Sequence, residues 1–413
     1  LIVWYDEGDM VGGSFKKAWV VSVDMGYGHE RAAFGLEDLA EGGVIVANRY
    51  AGMPIHEKKL WKRSREAYET ISRLQSLPLI GRGIFNLMDR LQRIPPFYPR
   101  RDLSGWNLQI AEIYYFIHHG LGRHLVESLS HKPLPFVSTF FLPAYAAEVH
   151  GYPGDIYLVI CDTDVFRTWA PLDPKQSRIR YLAPNGRVKE RLKLYGVPED
   201  RIFLTGFPLP KENVGGVSGR IVKADLKARL IHLDPHRIFS TKYHATLVRE
   251  LGSSFAEKKP NHPLTLTFSI GGAGAQKKIA WEALRSLRTA LLQKRLRFNI
   301  EVGTHRDLGQ FFIHAARNLN LQRLLGTTLQ IHAYENRPTY FRAFAHTLRT
   351  TDVLWTKPSE LSFYTGLGIP IIIAPPLGSQ EDSNQIWLQT VNGGIPQLDP
   401  KNVSEWFFDW IDS

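Results

Sequence analysis

Short apolar runs that stop on a glycine or a small polar residue recur along the chain, and stretches with helical spacing lie between them. The first run is Ala18–Val23, ending at Asp24 before Gly26-Tyr27-Gly28-His29. Runs at Val44–Ala47, Phe136–Thr139, Ile156–Cys161 and Arg201–Thr205 follow. Helices are predicted over Ile110–Leu129 and Gly186–Tyr195, the latter closed by Gly196 and Pro198. Runs this short and this apolar predict strands buried on both faces, the signature of a parallel sheet covered by helices.

The grammar repeats after Gly206-Phe207-Pro208-Leu209-Pro210, a segment that breaks regular structure. Strands are predicted at Leu264–Ile270, Phe298–Val302, Thr328–His332, Asp352–Thr356 and Ile371–Ala374, with helices over Ala280–Lys294 and Arg337–Leu348. Two strand, glycine turn and helix halves predict an α/β protein of two Rossmann-like domains, 1–210 and 211–395. The Trp- and Phe-rich segment 396–413 follows as a closing helix that packs rather than dangles.

The polar residues at the strand ends supply the candidate chemistry. In open parallel sheets ligands bind beyond the carboxyl ends of the strands, where helix-start amides favour an anion. Gly271, Gly272 and Gly274 after one strand let a backbone approach phosphate closely, since a side chain there would block it. Gly303, Tyr334-Glu335 and the segment Lys357–Ser362 follow the next strands in order. The expected ligand is therefore phosphorylated.

The spelling of Thr356-Lys357-Pro358, Leu361-Ser362, Leu367, Ile369-Pro370, Gln380-Glu381 and Asn384 resembles the donor-binding half of the MurG and monogalactosyldiacylglycerol synthase glycosyltransferases. That family reads approximately TKpGgLTxxEAlxxGlP and then PGQExxN. Asp24, Gly26, Gly28, His29 and Ala33 resemble its DxGxGHxxxA motif, Thr163-Asp164 its Thr-Asp pair, and Thr205-Gly206-Phe207-Pro208 its TGxPv. One position departs: Thr365 stands where the family has the Glu that holds the ribose hydroxyls.

The resemblance implies a GT-B fold, two Rossmann-like domains facing across a cleft, with the last helix crossing back to the first domain. It implies a UDP-sugar donor, a lipid or membrane-associated acceptor, and inverting hexosyl transfer without metal or cofactor. The loop at Tyr334-Glu335 would hold the base, and the amides of Ser359, Glu360, Leu361 and Ser362 the diphosphate, with Lys357 stabilising the departing nucleotide. Gln380 and Glu381 would meet sugar hydroxyls, and Asn384 would fix their loop. On the acceptor side, beside Asp24, Gly26 and Gly28, His29 would be the general base or its orienting partner. Asp164 is the second catalytic candidate, orienting a base or capping the next turn. Two rivals stand beside this reading: a binding protein that has lost transfer, which Thr365 suggests, and a UDP-sugar epimerase on the same fold.

Charge changes the picture in one place. Of the formal net charge of +11, the segment 58–101 carries eleven Lys/Arg against Glu66, Glu69 and Asp89. Leu77, Ile80, Ile84, Leu87, Met88 and Leu91 recur through it at helical spacing, so it is either a peripheral anionic-membrane surface or a packed helix with a solvated basic face. Pro95-Pro96-Phe97-Tyr98-Pro99 beside it favours the membrane. No nucleic-acid motif accompanies the charge. No run is long and apolar enough to predict a membrane-spanning helix. The single cysteine, Cys161, excludes an intramolecular disulfide framework and reads as a small buried hydrophobe, so a reducing, cytoplasmic compartment is expected.

Overall fold

The computed structural model describes residues 17–74, 94–256, 262–271, 274, 276–376 and 378–413. The chain divides into two compact units, residues 1–208 with 378–384, and residues 209–377 with 385–413.

The first unit is built on six parallel strands: β1 (Trp19–Ser22), β2 (Ile45–Val46), β3 (Phe136–Ser138), β4 (Ile156–Val159), β5 (Arg180–Ala183) and β6 (Ile202–Leu204), in the order β2-β1-β3-β4-β5-β6. Val21, Phe136, Leu158 and Ile202 are buried in its core with Tyr145, Trp169 and Leu192 from the covering segments. The strand order reverses between β1 and β3, so that is where the sheet opens a crevice at its carboxyl edge.

The second unit repeats the plan with β7 (Thr265–Ser269), β8 (Arg297–Glu301), β9 (Leu329–His332), β10 (Val353–Thr356), β11 (Ile371–Ile373) and β12 (Gly394–Pro396), all parallel, in the order β12-β11-β10-β7-β8-β9. Its reversal lies between β7 and β10. Two six-stranded parallel sheets with flanking helices are the doubly wound α/β architecture expected.

Several elements differ from expectation. The helix over Ile110–Leu129 is two, Leu108–His118 and Arg123–Ser130, because Gly120 and Gly122 hold positive φ between them. The stretch after Ser359 is a 3₁₀ helix, Glu360–Leu367, and Ser379–Thr390, read as a loop, is a helix. The closing helix Val403–Asp412 groups with the second unit. Val403, Trp406 and Phe407 enter the core of that unit with Phe268 and Trp355, the rings of Trp406 and Trp355 lying 5.6 Å apart. Its aromatic face is satisfied by the sheet that precedes it. From the second half, Gly378–Asn384 groups with the first unit.

The basic segment is described in part. Helix Ile55–Leu74 buries Glu57 and Trp61, and Glu57 accepts the N–H of Gly122 at 3.0 Å and of His124 at 3.4 Å. Burial raises the pKa of this carboxyl. The start of the segment is therefore a packed element. The apolar positions Leu77 to Leu91 lie outside the described residues. Phe97, expected at a membrane, is buried beneath the guanidinium groups of Arg187 and Arg191, 3.9 and 5.0 Å from its ring centroid. Among the described residues no helix is long and apolar enough to cross a membrane.

Candidate functional site

At the carboxyl edge of the first sheet, β1 leads through Asp24 to Gly26, whose φ of 100° no ordinary side chain adopts readily, and so into helix Tyr27–Phe34. Gly28 lies in the first turn of that helix. The Asp24 N–H donates to Asn48 Oδ1 at 2.8 Å, and its carboxylate lies 3.4 Å from Arg49, which also pairs with Glu30 at 2.7 Å. His29 sits at the β1/β3 reversal. Its Nδ1 donates to the Thr139 carbonyl at 2.9 Å, and Thr139 Oγ1 returns a bond to the His29 carbonyl at 2.9 Å. This doubly bonded pair fixes the ring and its tautomer, so in the neutral imidazole Nε2 is the proton-accepting nitrogen. Phe140 and Trp169 pack against the ring at centroid distances of 4.7 and 6.1 Å.

Beyond β4 the two acids separate in role. Asp164, expected as a catalytic candidate, is buried, and both its oxygens are held: Oδ1 by Arg191 Nε at 2.8 Å, Oδ2 by Arg191 Nη2 at 3.0 Å and Arg187 Nε at 2.9 Å. A carboxylate neutralised by two guanidinium groups is a strut, not a base. Asp162, which the sequence did not single out, is half-buried and accepts from Gln380 Nε2 at 2.7 Å and Asn384 Nδ2 at 3.2 Å. Asn384 Oδ1 also accepts the backbone N–H and hydroxyl of Thr163, at 2.9 and 2.8 Å. Gln380, Glu381 and Asn384 were expected with the donor set of the second half; they group instead with the first unit, where Gln380 and Asn384 grip the loop after β4. Cys161 is buried, its thiol directed at the Thr139 carbonyl at 3.5 Å.

The carboxyl edge of the second sheet has another character. β7 ends before Gly271 and β10 before Lys357, and the two strands are neighbours at the reversal. A Cβ on Gly271 would meet Lys357 Cε at 2.9 Å, so the lysine stem lies against a backbone that only glycine allows. The turn closes with Gly274 N–H donating to the Gly271 carbonyl at 2.8 Å, Gly274 having a φ of 67°, while Gly272 lies outside the described residues. Gly303, with φ 63°, follows β8 and accepts the N–H of Tyr334 at 2.9 Å, which ties the loop after β9 to that after β8. Burial, with Glu301 beside it, pushes the Tyr334 phenol above its ordinary range. Glu335 is exposed and pairs with Arg306 at 3.1 Å.

After Lys357 the chain turns through Ser359 into the 3₁₀ helix, where Glu360, Leu361 and Ser362 are buried and the Ser362 N–H donates to the Ser359 carbonyl at 2.9 Å. The amides at such a start point out of the helix and suit an anion. Thr365 faces elsewhere: its hydroxyl donates to the Gly393 carbonyl at 3.3 Å, and a Cβ on Gly393 would lie 2.7 Å from that hydroxyl. Threonine here fastens the 3₁₀ helix to the strand β12, a backbone partner that a glutamate could not serve as donor. Sequence reasoning missed Glu301, a buried acid ending β8, although an acid closing an apolar run was visible.

Thus the structure brings Gly271, Gly274, Gly303, Tyr334, Lys357 and Ser359–Ser362 to one sheet edge, and His29, Asp24, Asp162 and Gln380 to another. No protein-family model and no curated protein matches the chain. Among solved structures it is similar to UDP-GlcNAc 2-epimerase from Neisseria meningitidis bound to UDP-GlcNAc, at 13% identity over 96% of this chain and 91% of that one, with a TM-score of 0.44. It is similar to Acinetobacter baumannii MurG at 12% identity over 95% and 90%, TM-score 0.44, and to S. aureus MnaA with UDP at 10% over 97% and 89%, TM-score 0.45.

Proposed function

We propose that the protein is a glycosyltransferase that moves a hexose from a UDP-sugar to a lipid or membrane-associated acceptor with inversion. The observation that carries the reading is Lys357 lying against the Gly271 turn at the β7/β10 reversal. There a bare backbone, a cation and a helix start converge on the edge where doubly wound sheets take phosphorylated ligands. In this reading Lys357 and the amides from Ser359 to Leu361 hold the diphosphate, and the loop at Tyr334 takes the base. The first unit supplies the acceptor chemistry. His29 Nε2 takes the acceptor hydroxyl proton, the oxygen forms its bond to the anomeric carbon, and the electron pair of the breaking bond leaves on the UDP oxygen.

The test is release of UDP from a panel of UDP-hexoses with and without diacylglycerol-containing vesicles. Lipid-dependent release with a glycosylated lipid as product is expected; UDP binding without turnover would leave a binding protein. One observation favours a second reading, epimerisation of the same donor: Glu301 and Glu360 place two buried carboxyls at the second sheet's edge. An epimerised nucleotide-sugar formed without acceptor would select it.

A further inference from the structure

The opposite end of the second sheet holds a cluster that neither reading uses. Asp352 immediately precedes β10, His262 lies three residues before β7, and His232 is in the last turn of helix Arg220–Leu233. Since β7 and β10 are paired, their starts bring Asp352 and His262 together, and the helix lowers His232 onto them. One nitrogen of each imidazole and one carboxylate oxygen lie within 4.8 Å of one another.

The hydrogen bonding of this cluster is incomplete in an informative way. Asp352 is fully buried. Its Oδ2 accepts the Thr265 N–H at 2.7 Å and lies 3.0 Å from His232 Nδ1 and 3.6 Å from His262 Nδ1, yet Oδ1 has no hydrogen-bond partner. His232 Nδ1, for all its proximity, makes no hydrogen bond either. A buried carboxylate with an unmatched oxygen is costly unless a cation compensates it. Arg229 is close in sequence, but its guanidinium donates to carbonyls, those of Thr351 and Leu367 at 2.8 Å and Leu348 at 3.3 Å. Asp352 Oδ1 and His232 Nδ1 are thus two unmatched polar atoms of adjoining side chains.

The geometry points to a binding site for one zinc-class divalent cation formed by His232, His262 and Asp352. Tetrahedral zinc with bonds of about 2.0–2.1 Å sets its ligand atoms roughly 3.3 Å apart, and the 3.0 Å between His232 Nδ1 and Asp352 Oδ2 is close to that spacing. The His262 Nδ1 donates to the Pro263 carbonyl at 2.9 Å, a backbone partner that orients the ring and leaves Nε2 as its ligating nitrogen, and the Thr265 N–H orients the carboxylate. Two imidazoles and one carboxylate suit zinc better than the oxygen-seeking magnesium or calcium. His232, the most exposed of the three, gives the approach and leaves a fourth position for water.

The site has a structural purpose in this fold. The four residues of β10 lie between Asp352 and Lys357, five steps or roughly 16 Å at the rise of a strand, so the ion lies far from the nucleotide edge of the same sheet. It would clip helix Arg220–Leu233 to the floor of the second sheet at two strand starts.

The experiment is a titration of chelator-stripped protein with Zn²⁺ against a chromophoric indicator, with thermal melting followed in parallel. Uptake of one equivalent per chain, a raised melting temperature, a tetrahedral ligand-field spectrum with Co²⁺ and no displacement by excess Mg²⁺ are expected. The His232→Ala variant, which loses no hydrogen bond, should keep the far-UV spectrum and bind Zn²⁺ at least 100-fold more weakly. Zn²⁺ uptake equal in wild type and variant, or none, would overturn the proposal. Should that variant fail to fold, the wild-type stoichiometry, melting shift and Co²⁺ spectrum decide: their absence overturns it.

Discussion

At the carboxyl edge of the first sheet side chains hold one another; at that of the second the backbone is laid bare. In the first, His29 is locked to Thr139, Asp164 to two arginines, and Asp162 to Gln380 and Asn384. In the second, Gly271 leaves room for the Lys357 stem beside a helix start, and Gly274 and Gly303 turn the chain at positive φ. The first edge keeps a few groups at fixed positions, as proton chemistry demands. The second offers amides and a cation, as a diphosphate demands. Two sheets of the same plan are thus specialised by the loops at the ends of their strands.

Breaking the first edge should have the largest effect. Asp164→Ala leaves the fully buried Arg191 without its carboxylate, and removing one partner of a buried pair costs about 3–5 kcal/mol, read as a lower urea midpoint. An accompanying Arg191→Leu should recover much of the loss. Were Asp164 a catalytic acid, its loss would instead abolish turnover in a protein of unchanged stability.

At the second edge the expectation is reversed. Lys357→Ala should leave the melting temperature nearly unchanged and weaken UDP binding roughly 10- to 100-fold, a charged hydrogen bond being worth about 1.5–3 kcal/mol. Calorimetric titration of both proteins checks it. A stability loss with unaltered UDP affinity would make Lys357 a strut as well, and the contrast between the edges would fail.

The smallest effect concerns His332, which ends β9 and stacks at 6.3 Å on Tyr334. Burial holds this imidazole below its ordinary range. The unfolded chain therefore takes up a proton first as the pH falls, so stability present above about pH 6.5 declines as the pH drops towards the lower folded value. His332→Gln should flatten that acid limb in denaturation curves recorded from pH 7.5 to 5.

The strands that carry both edges were legible because a parallel sheet demands continuous apolar runs, and their ends were legible because Asp, Ser, Thr and Gly terminate them. The elements that escaped had weak local signals. β5 mixes Arg180 and Leu182, partly exposed, with buried Tyr181 and Ala183, and β12 contains Gly394 and Pro396 at a sheet edge. Ser379–Thr390 is polar enough to read as a loop, yet it is a helix whose first turns belong to the first unit. Asp162 and Asp164 are indistinguishable in sequence, since only the arginines of a later helix assign one as a strut. The partners of Thr365 and of Asp352 lie 28 and 87 residues away, at distances that spacing rules do not reach.

The central claim is that the β7/β10 edge of the second sheet binds a nucleoside diphosphate, and hydrogen exchange with and without UDP tests it most directly. Slowed exchange confined to the turn at Gly271–Gly274, the loop at Tyr334 and the start of the 3₁₀ helix at Ser359–Ser362 is predicted. No protection at millimolar UDP, or protection confined to the first sheet's edge around His29, would contradict it.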